Sequence, residues 1–302
     1  MKKRIYGNGL LFITALIWGT SFVAQYVGVT DQIGPHTFNF SRNFVAALFL
    51  LAFVIPFLSH YRKKKGEVEE VKGDSKALIL GGICCGLALF LAMTFQQIGI
   101  VQSTAGKAGF ITALYIIIVP LFGLFLGKKV SPKIWLCVFL AALGMYLLSF
   151  KGGFKIGKGD QLLLVCAAFF AIHILVIDHF SPKVDGVRMS CIQFLVAGIC
   201  SLLMALFTET ISLPGLLEGA FPILYVGIMS SGIGYTLQIV AQRNTDPTVA
   251  SLILSLESVF AVISGVIFLG QMMTARELMG CAIMMVAIVL AQMPDKKERE
   301  KA

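Results

Sequence analysis

The chain repeats itself across an odd number of long apolar segments, and this limits its fold more than any single residue does. Shifting the sequence by 143 residues lays Phe125-Leu126-Gly127 on Phe268-Leu269-Gly270, Ser131 on Thr274 and Gly144 on Ala287. Crossing a bilayer takes roughly 20 apolar residues. By that measure the spans are 9–29, 36–58, 77–99, 103–126, 134–150, 161–180, 189–208, 220–241, 248–270 and 276–293. Backbone groups in lipid must be bonded internally, so helices are expected. The segments are too long and too uniformly apolar for barrel strands. The expected fold is therefore an all-α integral membrane protein with ten transmembrane helices. They form two five-helix repeats, 9–150 and 160–293, followed by a charged cytoplasmic tail at 294–302. A repeated five-span unit enters the membrane the other way up the second time. Inverted repeats of this kind hold a solute site between the halves, near the midplane.

Composition excludes a soluble globular protein. Apolar residues make up 57% of the chain and charged residues 14%, with mean hydropathy +0.86. Soluble domains carry about 25% charged residues. The net charge of +9 is not a nucleic-acid footprint. With an inward N-terminus, 19 of the 25 Lys and Arg fall on the inner side, four outside, and two (Arg42 and Lys107) within spans. That bias is the positive-inside rule, and it puts both termini in the cytoplasm of a cell with a multi-pass protein in its inner or plasma membrane. The outer loop 151–160, with Lys151, Lys155 and Lys158, runs against the trend. The basic start and the apolar run 9–29 read as a retained first helix, because the run exceeds a signal-peptide core of about 7–15 residues.

Signs of chemistry are few. Gly152 to Gly159 nearly matches a phosphate-binding loop, but Gly159 stands where the magnesium-holding hydroxyl belongs and no strand precedes it. Neither H-E-x-x-H nor G-x-S-x-G occurs. His173, Asp178 and His179 cluster on the sixth span, yet the adjacent pair cannot face the same way on a helix. Seven cysteines lie in apolar segments without a C-x-x-C pair, so they read as small buried apolar residues. No cofactor, metal site or enzyme activity is expected.

Polar residues inside the spans point instead to a path. Thr14, Trp18, Ser21 and Gln25 share one face of the first span; Ser231, Tyr235, Gln238 and Gln242 share one face of the eighth. Such faces turn toward protein or a water-filled cavity, although interhelical hydrogen bonding would produce them too. Ser251, Ser255 and Ser258 on the ninth span read mainly as close-packing residues, as do the pairs Gly82/Gly86 and Gly123/Gly127. A charge at a helix centre costs roughly 2.5–3.5 kcal/mol on insertion scales, which implies a partner or water. Glu257 lies mid-span and is the first choice for a proton site, with Lys107 or Arg42 as its expected partner across the cavity. The expected solute-binding residues are Trp18, Gln25, Gln97, Tyr115, His173, Tyr235, Gln238 and Glu257, with Arg42 and Lys107 as a charged rim.

The segment Ser103-Thr104-Ala105-Gly106-Lys107-Ala108-Gly109-Phe110-Ile111-Thr112-Ala113-Leu114-Tyr115, then Val119-Pro120-Leu121 and Gly127-Lys128-Lys129-Val130-Ser131, resembles the EamA family of the drug/metabolite transporter superfamily. So do Ser255-Leu256-Glu257-Ser258-Val259-Phe260-Ala261, Phe268-Leu269-Gly270-Gln271, Gly280, Ile17-Trp18-Gly19 and Ser41-Arg42. The resemblance covers residues 9 to 293 and implies an inner-membrane transporter with two repeats around a central cavity, typically exporting amino acids, other metabolites or drugs. Lys128 and Gln271 depart from the Glu common after the preceding Leu-Gly. Ser258 replaces a common Pro, which removes the usual reason for a kink there. The expected function is secondary or facilitative transport, in the export direction, of a small organic solute. A polar-lined channel is the alternative. Proton coupling and a homodimer stay open at this level.

Overall fold

The computed structural model describes residues 2–30, 32–64, 74–103, 105–149, 157–269 and 274–293. The tail 294–302, Gln271 and most of the near-match Gly152–Gly159 lie outside them; the Lys107 side chain is likewise not described. In chain order the α-helices are α1 (Lys2–Gly28), α2 (Pro35–Phe49), α3 (Ile55–Lys64), α4 (Ser75–Val101), α5 (Ala105–Thr112), α6 (Tyr115–Phe125), α7 (Pro132–Ser149), α8 (Lys158–Phe180), α9 (Gly186–Thr208), α10 (Leu213–Glu218), α11 (Ala220–Tyr225), α12 (Thr236–Gln242), α13 (Pro247–Leu254), α14 (Glu257–Leu269) and α15 (Ala275–Gln292). A π-helical turn, Leu50–Val54, joins α2 to α3, and a longer π-helical stretch, Val226–Tyr235, joins α11 to α12. Among the described residues, eight helices are long and apolar enough to cross a membrane. Two shorter apolar stretches, Pro132–Gly144 and Leu278–Ala291, occupy the expected fifth and tenth positions.

The burial pattern fits lipid rather than water. Phe125, Phe207 and Phe221 are 88%, 85% and 78% exposed, while Arg42 and Glu257 are 1% and 3% exposed. Apolar groups outside and charges inside is the arrangement that hydrocarbon surroundings favour.

The expected fourth and ninth spans are not continuous. α5 gives way to α6 at Ala113–Leu114, and α13 to α14 at Ser255–Leu256. Four backbone bonds at the two breaks correspond: Ala113 N–H to Gly109 O and Ser255 N–H to Ser251 O, Leu114 to Ile111 and Leu256 to Ile253, Ile116 to Ala113 and Ser258 to Ser255, Ile118 to Leu114 and Phe260 to Leu256. This correspondence runs at an offset of 142, one less than the offset of the flanking motifs, and it sets Glu257 opposite Tyr115 rather than Leu114. The causes differ. Pro120 inside α6 has no N–H for the Ile116 carbonyl, which weakens the first turn of α6 beside the break. In the second break, where replacement of Pro by Ser258 argued against a kink, hydroxyls disturb the helix instead. Ser251, Ser255 and Ser258 donate to the carbonyls of Thr248, Leu252 and Ser255 at 2.7–2.9 Å, and such back-bonding bends helices.

Packing follows a matching pattern. α4 packs on α8, and the α11–α12 span packs on α1; α4 also packs on α9, and the α11–α12 span on α2. α5 and α6 lie on α8 as α13 and α14 lie on α1, and α7 pairs with α15. Small residues permit these approaches. A Cβ at Gly82 or Gly86 would come within 2.5 Å of Ile192 or 2.6 Å of Val196 on α9, so this pair is a packing notch. Gly123 and Gly127 are not. Gly127, at φ 75, closes α6, with Lys128 N–H on Gly123 O at 2.9 Å and Gly127 N–H on Leu124 O at 3.0 Å; glycine tolerates this left-handed cap. Lys128 then forms an ion pair with Asp178 on α8.

The start of α2 is capped from another helix. Both carboxylate oxygens of Glu209, just past α9, accept from the backbone N–H groups of His36 and Thr37 at 2.8 Å. First-turn N–H groups have no partner within the helix. Gly34 leaves the room, since a Cβ there would lie 2.2 Å from the Glu209 carboxyl carbon. Glu209→Ala should lower stability by about 1–2 kcal/mol, read as a lower unfolding midpoint of the detergent-purified protein.

Candidate functional site

A small central cavity is lined by Trp18, Phe22 and Gln25 of α1, Arg42 of α2, Gln96 of α4, Thr112 of α5, Tyr115 of α6, Phe170 of α8, Ser230 and Tyr235 of the π-helical stretch, and Glu257 of α14. Two aromatic rings form one wall, Trp18 and Tyr235, with centroids 4.5 Å apart. Trp18 is held by its indole N–H on Ser230 O at 3.3 Å.

Two opposite charges share this space without meeting. Arg42 donates from Nη1 to Gln25 Oε1 at 2.7 Å, and its Nε has no partner. Glu257 Oε1 accepts from the Tyr115 hydroxyl at 2.9 Å. Arg42 and Glu257 form no ion pair with each other. The pairing of Glu257 with Arg42 expected from sequence is thus replaced by two separate hydrogen bonds, each to an uncharged partner. Tyr115 and Glu257 each begin the second half of a broken span, at matching positions, so their contact joins the two breaks.

Six expected residues line the cavity: Trp18, Gln25, Tyr115, Tyr235, Glu257 and Arg42, the last buried in the lining rather than at a rim. Gln97, His173 and Gln238 do not reach it. Gln97 donates to Gln25 O at 3.0 Å. His173 bonds Gln193 at 3.0 Å and sets its ring edge-on to Tyr235 at 5.8 Å. Gln238 donates to Gln242, which donates to Ile174 O. Apart from the Gln238–Gln242 bond, which stays within α12, these are links between helices, the other reading of the polar stripes. Thr14 likewise donates to Gly234 O at 3.2 Å, whereas Ser21 donates within α1 to Ile17 O at 2.7 Å.

Sequence reading missed Phe22, Gln96, Thr112, Phe170 and Ser230. The Ser230 miss has a plain cause. A period of 3.6 puts Ser231 on the face of Tyr235, but a π-helical stretch has a wider turn. The structure accordingly turns Ser230 to the cavity and leaves the Ser231 hydroxyl buried without a partner. Gln96 sits beside the expected Gln97, one helical step away.

A bundle of helices long and apolar enough to cross a membrane, around a cavity lined by polar, aromatic and charged residues, is the form of a multi-pass membrane transporter. The chain belongs to the EamA-like transporter family, which it matches over residues 5–150 and again over 157–293. It is 32% identical over 295 residues to an uncharacterized transporter of Archaeoglobus fulgidus, covering 96% of this chain and 87% of that protein. It is 23% identical to the uncharacterized inner membrane transporter YedA of Escherichia coli K12, covering 93% and 89%. One solved crystal structure shares the fold with TM-score 0.75 at 16% identity, covering 95% of this chain and 96% of the other. The two family matches begin at residues 5 and 157.

Proposed function

We propose that the chain is a ten-span carrier made of two five-helix halves, 9–150 and 160–293, of opposite orientation, which moves a small organic solute outward by alternating access. The observation that carries this reading is the meeting of Tyr115 and Glu257 at matching breaks of the fourth and ninth spans, on the wall of the central cavity. Broken helices around a midplane site are a construction of secondary transporters. The matched packing of the two halves supports the inverted repeat, and the distribution of Lys and Arg supports cytoplasmic termini.

Glu257 is the proton site of this reading. Protonation removes the charge that holds the solute, so a proton taken up on one side expels solute there, and solute binding on the other side expels the proton. Lys107 belongs to the outer rim, and Gln97, His173 and Gln238 support the walls rather than touch solute. Purified protein in liposomes loaded with unlabelled solute should accumulate the labelled solute transiently, by counterflow. Linear, non-saturating flux indifferent to the solute inside would instead identify a channel.

A further inference from the structure

We infer that the ion pair between Lys128 and Asp178 is a latch that closes the cavity toward one face of the membrane and biases the chain toward opening on the other. The inference rests on the carrier reading and adds what sets the balance between its two open forms.

The pair ties the two proposed halves together at one end of the bundle. Lys128 follows α6 in the first half, and Asp178 lies near the end of α8 in the second. Both helices run to this contact from the cavity wall. α6 starts there at Tyr115, and its 11 residues rise about 16 Å toward Lys128. α8 passes the wall at Phe170, and Asp178 follows about 12 Å further along. α6 packs on α8. Parting of the two helices at Lys128 and Asp178 therefore opens a gap that leads to the cavity.

The contact is built to hold and to release. The Gly127 cap, with Lys128 N–H on Gly123 O at 2.9 Å, fixes where the lysine leaves α6. The two side chains are 36% and 23% exposed, so water reaches each charge and neither is stranded when they separate. A partly exposed pair shifts an equilibrium by about 2–5-fold. That is a small share of what holds a helix bundle together, yet it tilts two open forms of similar energy. The other face has no matching pair through the equivalent residue. Gln271 stands 143 positions after Lys128 and carries no charge. The helices of the repeat match while this charge does not.

The test needs no solute. Full-length protein is freed of its native cysteines, given Ser230→Cys on the cavity wall, and treated in oriented vesicles with a membrane-impermeant thiol reagent on each face. Lys129→Cys, in place of Ser230→Cys, identifies the face that carries the pair, because Lys129 is exposed beside it. Position 230 should react faster from the opposite face. Lys128→Glu and Asp178→Lys should each raise its reaction from the Lys129 face by about 5-fold or more, the lost attraction with repulsion added, and lower it from the other. The two reversals together restore the pair with its charges exchanged, and should return both rates to those of the parent. Lys128→Gln and Asp178→Asn, expected at about 2–5-fold, decide the question should a reversal fail to fold. A merely structural pair would lower the unfolding midpoint of the single variants and leave the ratio of the two rates unchanged. That result, equal rates from both faces in the parent, or a double reversal that does not restore the ratio would overturn the latch and leave the carrier intact. Reaction from one face only, or from neither, in every protein would overturn both.

Discussion

Glu257→Gln should reduce solute exchange by about 100-fold or more, the scale of removing one member of a buried charge contact, while stability changes by no more than about 1 kcal/mol. Glutamine keeps the shape and still accepts the Tyr115 hydroxyl, so the junction of the two broken spans stays packed. What disappears is the negative charge on the cavity wall. Removing a buried charge that has no cationic partner among the described residues relieves a desolvation cost, so the unfolding midpoint should hold or rise. Tyr115→Phe makes the opposite change. It leaves the charge and removes its donor, and should cost about 1–3 kcal/mol of stability. Exchange assays paired with thermal unfolding of the same preparations separate the two effects. Loss of exchange together with collapse of the fold in Glu257→Gln would mean that the residue serves structure alone.

Gly19→Ala should destabilise the protein by about 1–3 kcal/mol, and Gly19→Leu should prevent assembly of the bundle. Alanine is the better helix former by about 1 kcal/mol, so the sign depends on space. A Cβ at Gly19 would lie 2.3 Å from Phe260 Cβ, 2.8 Å from Phe260 C and 2.8 Å from Glu257 O. Backbone cannot swing aside as a side-chain tip can, so α1 and α14 must separate. That separation moves Trp18 away from Ser230 and displaces the start of α14, where Glu257 sits. The substitution should therefore weaken exchange as well as the fold. An unfolding midpoint at or above wild type would show that the helices are not this close.

Much of the architecture was legible because lipid simplifies the rules. Ten apolar stretches, an odd count per half and a one-sided distribution of Lys and Arg point to a bundle before any coordinate is known. What sequence did not reveal was local backbone. The break at Ser255–Leu256 arises from hydroxyls that bond back to carbonyls, and serines at that spacing read equally well as packing residues. The π-helical stretch changed which of two adjacent serines faces the cavity. Its glycines help explain why the stretch lies so close to α2, since a Cβ at Gly227 would come within 2.6 Å of Val45. That is a tertiary fact absent from helical periodicity.

The site was legible in its charged and aromatic members and less so in its neutral ones. Trp18, Arg42, Tyr115, Tyr235 and Glu257 stand out against an apolar background because each is costly or conspicuous there. Gln97, His173 and Gln238 stand out equally, yet they bond to other protein groups, because a buried amide or imidazole finds partners in protein as easily as in solute. Phe22 and Phe170 carry no such mark, since phenylalanine is ordinary in any span. The register of the repeat also mattered. The flanking motifs align at 143, whereas the breaks align at 142, and only the second number shows that Tyr115 and Glu257 are counterparts.

Alternating access around the cavity is tested most directly at Ser230, which lines it. The seven native cysteines are replaced by alanine and Ser230→Cys is introduced, with oriented vesicles treated by a membrane-impermeant thiol reagent from one side or the other. The account predicts labelling from both sides, with a solute gradient raising reactivity on one face as it lowers it on the other. Labelling from one face only under every gradient, or from both faces together without any reciprocal change, would contradict it.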